Sequence, residues 1–206
     1  MTPSSTIKIS SDRIIKWMSA VRNSSGQQQT RLLESFWESQ ITSKAWLINT
    51  IKMLDLPIKG DVYVFGGWYG ILASLIKDEF SYQNVYTIDK DPSCKYVGEG
   101  IDDRIHFITG DMKDFQFKNE NIGLVINTST EHIHQEIFNS WLKNVPNEIP
   151  IVLQGNDFFS CKEHVRCSNS LENFMLNNRL DKVVFKGALN CKQFTRFMII
   201  GYKNAN

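Results

Sequence analysis

The stretch VYVFGGWYGILASLI, Val62 to Ile76, decides how the rest of the chain is read. Val62 to Phe65 is an unbroken apolar run, the pattern of a short strand buried on both faces. Gly66, Gly67 and Gly70 then permit a sharp turn, and Ile71 to Ile76 opens a helix. A strand turning on glycines into a helix presents backbone amides at the helix start, where a polar ligand can dock. A plain strand-to-helix turn has the same pattern, so both readings stand at this point. Trp68 occupies the place where such a loop commonly has its middle glycine.

Working outward, further short apolar runs end in polar residues. Val85–Ile88 ends at Asp89, Ile105–Ile108 at Gly110-Asp111, and Leu124–Ile126 at Asn127. A helix over His134–Leu142 leads through Pro146 and Pro150 to a fifth strand, Ile151–Leu153. Short apolar strands alternating with helices predict a parallel sheet with right-handed crossovers. After a helix over Leu171–Asn178, the runs Lys182–Phe185 and Phe194–Ile200 predict an antiparallel hairpin joined by KGALNCKQ. Upstream, Asp12 is expected to cap a helix through Arg22. Thr30 is expected to cap a longer one stopped near Pro57. The expected organisation is therefore an N-terminal helical extension, 1–57, followed by an α/β domain, 58–206.

At 206 residues and 42% hydrophobic, the chain can fill one such domain. It contains no apolar stretch long enough to span a bilayer, and its polar start lacks a signal-peptide core. Cys94, Cys161, Cys167 and Cys191 include no CxxC pair, which suggests reduced thiols in a cytoplasmic protein. Residues 1–57 carry 7 Lys/Arg against 4 Asp/Glu, residues 58–161 carry 8 against 15, and residues 162–206 carry 8 against 3. An acidic middle between basic ends does not point to a nucleic-acid surface.

Five parallel strands, four loop motifs in order and a terminal hairpin resemble the class I S-adenosylmethionine (SAM)-dependent methyltransferases. The likeness covers roughly residues 58–203. VYVFGGWYG is similar to the family's first motif, VYTIDKDP to the second, IHFITGDMKDF to the third and IGLVINTSTEH to the fourth. The resemblance implies a Rossmann-like, doubly wound, mostly parallel sheet with an antiparallel C-terminal hairpin, and SAM as cofactor. It implies Gly66, Gly67, Trp68 and Gly70 on the cofactor loop, Asp89 on the ribose hydroxyls, and Asp111 with Met112 at the adenine. The alternative is that the glycines only turn the chain and the aspartates cap helices. The chain departs from the family in two places: Val64 replaces an acidic residue and Trp68 a glycine. Gln40, Ser43 or Glu131 are the candidates to receive the SAM ammonium instead. An indole at Trp68 can attract a sulfonium.

At the end of the fourth strand the resemblance places Asn127, Glu131 and His132 toward the acceptor. Glu131 or His132 would take its proton and Asn127 would orient it. The bland alternative is that Glu131 and His132 merely start the next helix. Asn156 and Asp157 follow the fifth strand, and His164 and Lys44 are further candidates to touch substrate. In CKEHVRC, Cys161, His164 and Cys167 are evenly spaced, but zinc normally takes four ligands. No metal is therefore expected. The expected activity is methyl transfer to a small-molecule acceptor. Aminocarboxypropyl transfer, SAM cleavage and a non-catalytic SAM- or nucleotide-binding module are the alternatives.

Overall fold

The computed structural model describes residues 4–80, 84–117 and 121–204. Three helices lead the chain: α1 (Ser11–Asn23), α2 (Gly26–Glu34) and α3 (Glu38–Leu54). Then come β1 (Asp61–Phe65), α4 (Ile71–Glu79), β2 (Val85–Asp89), α5 (Pro92–Ile101), β3 (His106–Thr109), β4 (Ile122–Asn127), α6 (Gln135–Asn144) and β5 (Pro150–Asn156). α7 (Leu171–Asn177), β6 (Lys182–Asn190) and β7 (Thr195–Tyr202) close the chain. The sheet order is β3-β2-β1-β4-β5-β7-β6. β1 to β5 are parallel, while β7 runs antiparallel to both β5 and β6. This is the expected α/β doubly wound sheet with its C-terminal hairpin.

The pleat of β1 shows why both faces are covered. Val62 and Val64 point into a core with Trp46, Leu47 and Ile48 of α3 and Leu72 of α4. Tyr63 and Phe65 point into a second core with Phe138 and Trp141 of α6 and Phe174 of α7. Successive side chains leave opposite faces of a strand, so an unbroken apolar run requires a layer on each side. The sheet order reverses between β1 and β4, which opens a crevice at the carboxyl ends of the strands.

Several boundaries differ from expectation. α1 is capped by Ser10, whose hydroxyl accepts the Arg13 N–H at 3.2 Å, rather than by Asp12. The single long helix expected from Thr30 is two helices. Ser35 donates its hydroxyl to the Leu32 carbonyl, and Phe36 turns onto the Trp17 ring at 5.1 Å between centroids. Thr30 lies inside α2, and α3 stops at Leu54 on a left-handed Asp55, before Pro57. Most of the supposed hairpin connection belongs to β6, which runs on to Asn190. Gly187 is there for packing, since a Cβ would lie 3.1 Å from Trp46. β5 likewise extends to Asn156, so that residue ends the strand rather than following it.

Candidate active site

The Gly66–Gly70 loop forms one wall of the crevice. Gly66, Trp68 and Gly70 all take left-handed backbone, with φ of 61°, 52° and 75°. Gly67 closes onto β2 so tightly that a Cβ would stand 1.8 Å from Thr87 Oγ1. Asp89, at the end of β2, ties the loop down. Its Oδ2 accepts the Trp68 N–H and its Oδ1 the Asp91 N–H, both at 3.0 Å. One lone pair remains on each oxygen. The Trp68 ring is half-buried and stacks on Tyr69 at 5.5 Å, with its other neighbours in the first core. Val64, where an acid would stand, is fully buried.

Asp111 begins a 3-10 turn after β3, accepting the Lys113 N–H at 3.0 Å. Met112 lies against the end of β4, with its sulfur 3.9 Å from Asn127 Nδ2. Asn127 also accepts the Ser129 N–H at 3.0 Å and is fully buried, so its amide organises the strand end. Glu131 and His132 sit in a separate 3-10 turn, Thr130–His132, ahead of α6 rather than in its first turn.

Glu131 is only 3% exposed, and its Oε1 accepts from Asn156 Nδ2 at 2.5 Å and pairs with Arg196 at 2.9 Å. Its Oε2 is buried without a hydrogen-bond partner. The sheet register explains the grouping, because Asn156 of β5 lies opposite Arg196 of β7. The loop after β5 folds back as well. The N–H groups of Val165 and Arg166 both donate to the Glu131 carbonyl, which brings His164 against His132. The two rings meet edge to face, 4.6 Å apart. His132 Nδ1 lies 3.2 Å from the Glu163 carbonyl and His164 Nδ1 2.9 Å from that of Phe158. His132 keeps an edge open to solvent, yet desolvation by the surrounding chain lowers its pKa, partly opposed by Glu131.

Asp157 accepts the Thr195 N–H at 2.6 Å, joining this end to the hairpin. Lys44 bonds Gln40 Oε1 at 2.8 Å, and burial, with Arg196 second, brings its ammonium down to about 7. Ser43 is buried and donates its hydroxyl to the Gln40 carbonyl. Of the two cysteines of CKEHVRC, Cys167 reaches His164, its Sγ 3.6 Å from Nδ1. Cys161 turns to Glu163 at 3.1 Å, and burial raises the Cys167 thiol to about 11. A thiol must lose its proton to ligate a metal well. Arg196 escaped the sequence reading, although an arginine inside the apolar run TRFMII was a usable signal.

No family model and no curated protein sequence matches the chain. Solved structures do resemble it. The N-methyltransferase NodS from Bradyrhizobium japonicum WM9 superposes with a TM-score of 0.64, and with 0.66 in its complex with S-adenosyl-L-homocysteine. In that complex it shares 9% identity over 92% of this chain and 99% of its own. A variant of MtNAS in complex with SAM gives a TM-score of 0.58 at 12% identity, over 94% of this chain and 72% of that one. A SAM-dependent methyltransferase from Clostridium acetobutylicum gives 0.60 at 9% identity, over 79% and 91%. These likenesses establish the class I SAM-dependent methyltransferase fold.

Proposed function

We propose that the chain is a SAM-dependent methyltransferase acting on a small-molecule acceptor. The observation that carries this reading is the pairing of the Gly66–Gly70 loop with Asp89 at the strand ends, beside the reversal of sheet order. Ligands of open α/β sheets bind there. The donor set suits the cofactor. Asp89 keeps one lone pair per oxygen for a ribose diol, and Asp111 stands half-exposed at the next strand end for an adenine amine. Met112 offers an apolar face beside it. NodS and MtNAS, which share the fold, have SAM or its demethylated product in their structures.

Bound SAM brings a methyl group already activated on a sulfonium. The protein's share is to orient the acceptor and to deal with its proton. Glu131, His132 and His164 form that end of the crevice, with Asn156, Asp157 and Lys44 around them and Asn127 holding the β4 end. Residues 1–57 would cover the opening. Arg31 of α2 reaches Asp91 beyond β2 at 2.5 Å, and Glu38 of α3 reaches Lys192 on the hairpin at 2.6 Å. No described helix is long and apolar enough to cross a membrane.

Calorimetry with SAM and with S-adenosylhomocysteine tests the proposal directly. Both should bind, and Asp89→Ala should weaken binding by roughly 2–3 kcal/mol, the usual loss for hydrogen bonds to a charged group. Asp89 also anchors the loop, so each variant needs a melt to correct for its folded fraction. Absence of SAM binding to the unaltered chain would sink the methyltransferase reading. Full affinity in folded Asp89→Ala would remove Asp89 from the site.

A further inference from the structure

We propose that Glu131, His132 and His164 hold one divalent transition-metal ion of the zinc, manganese, iron(II) or cobalt class, with open positions facing the crevice. One potential ligand atom from each residue lies within 4.8 Å of the other two. The ligands of one ion stand roughly 3–3.5 Å apart at ordinary bond lengths, so small ring rotations close the set. Two histidines and one carboxylate form a donor set that leaves coordination positions free for water or substrate.

Three independent features favour an ion over an accidental cluster. Each imidazole turns Nδ1 toward a backbone carbonyl, Glu163 for His132 and Phe158 for His164. Donation there fixes the tautomer and leaves Nε2 as a lone pair, the usual arrangement of metal-ligating histidines. Second, Glu131 is 3% exposed and its Oε2 lacks any hydrogen-bond partner. A buried carboxylate oxygen without a partner is costly, and a bound cation would satisfy it. Third, two chain segments are tied together to build the cluster, through the Val165 and Arg166 bonds to the Glu131 carbonyl. Arg196 on Oε1 offsets the charge of Glu131, so the site should bind less tightly than one with a free carboxylate.

The identity of what fills the open positions rests on the methyl-transfer reading; ion binding itself does not. A hydroxyl-bearing acceptor that docked on the ion would release its proton to solvent water more readily, because a bound dication stabilises the alkoxide. The alkoxide oxygen would then take the methyl as the C–S bond breaks and S-adenosylhomocysteine leaves. The acceptor class assigned is therefore a small molecule with a hydroxyl or diol group. In that arrangement the ion acidifies the acceptor, and His132 acts as a ligand rather than as the base.

The test uses full-length, tag-free protein stripped with chelator. Manganese(II) is titrated and followed by loss of the free-ion paramagnetic resonance signal. Cobalt(II) is followed by its visible absorption. One ion per chain is expected, with affinity reduced on the order of 100-fold in His132→Ala and in His164→Ala, each checked for a native melt. His134→Ala, Cys161→Ser and Cys167→Ser should leave binding unchanged. Glu131 variants are a poor first choice, since they strand the buried Arg196. Failure to bind either ion, affinity in both histidine variants undiminished from the unaltered chain, or loss in the cysteine variants instead, would overturn the site. SAM calorimetry on the same samples separates the two claims. Ion binding without SAM binding refutes methyl transfer alone, and SAM binding without an ion refutes this site alone.

Discussion

At Trp68 a bulky aromatic side chain occupies left-handed backbone at φ 52°, a conformation that favours glycine. The loop therefore holds strain that its anchors must offset, among them the Asp89 bond to the Trp68 N–H. Trp68→Gly and Trp68→Ala both remove the indole and its stack on Tyr69, but only alanine keeps the backbone penalty. The alanine variant should be less stable than the glycine variant by ~1 kcal/mol in urea denaturation. Equal stabilities would mean that the loop relaxes out of the left-handed region once the indole is gone. At this scale the positions of the glycines in a turn and of Asp89 and Asp111 at or just past strand ends were legible, because a strand end followed by a turn is a local pattern. The tie of Glu131 to Arg196 was not, since it joins residues 65 apart and depends on the register of β5 with β7.

Among the elements, α3 places Lys44 where burial and the charge of Arg196 act on its ammonium. Desolvation lowers the Lys44 ammonium to about 7, with Arg196 adding to the effect. An unfolded lysine titrates near 10.4, so between about 7 and about 10.4 the unfolded chain binds more protons. Stability then rises with pH across that window, and the cost of the charged side chain is fully present only below about 7. Lys44→Met removes the titration along with the bonds to Gln40. Its melting temperature relative to the unaltered chain should be higher at pH 6 than at pH 10, with the difference on the order of a few degrees. A difference independent of pH would show that Lys44 stays hydrated. Element types and order were readable because the strands are short apolar runs between helices. The α2–α3 break was hidden by an apolar pattern that continues through Ser35–Trp37. Gly187 fell within the segment read as the hairpin connection, because a glycine placed for packing looks the same in sequence as one placed for φ.

For the whole molecule, the question is whether residues 1–57 unfold with the sheet or apart from it. Trp17, Leu32 and Trp46 share the first core with Val62, Leu72 and Val97, so the apolar packing is continuous. A charged cluster adds a second tie. Arg13 of α1 reaches Asp78 on α4 and Asp102 at the end of α5, both at 2.8 Å, and Arg104 reaches the same two carboxylates. Burial alone would raise both carboxyl groups. The bonds from Arg104 and Ser74 outweigh it at Asp102, and those from Arg13 and Arg104 at Asp78, so both lie below the usual range. A depressed carboxyl contributes stability above its unfolded pKa of about 3.9, lost as pH falls through the lower folded value. This contribution should accordingly be intact down to about pH 4 and be lost only below it. Arg13→Met leaves Asp102, which is 1% exposed, with Arg104 and Ser74 as its remaining partners. A loss of about 3 kcal/mol is expected, near the low end for breaking a buried ion pair, together with a higher acid-unfolding midpoint. Lys16→Met, which removes only the exposed 4.0 Å contact with Asp103, should change little. Chemical denaturation followed both by tryptophan fluorescence and by far-ultraviolet circular dichroism reads the outcome. If α1 belongs to the same cooperative unit, both signals should shift together in Arg13→Met. Two separated transitions, with the second at the unaltered midpoint, would instead make the N-terminal helices an independently melting cover.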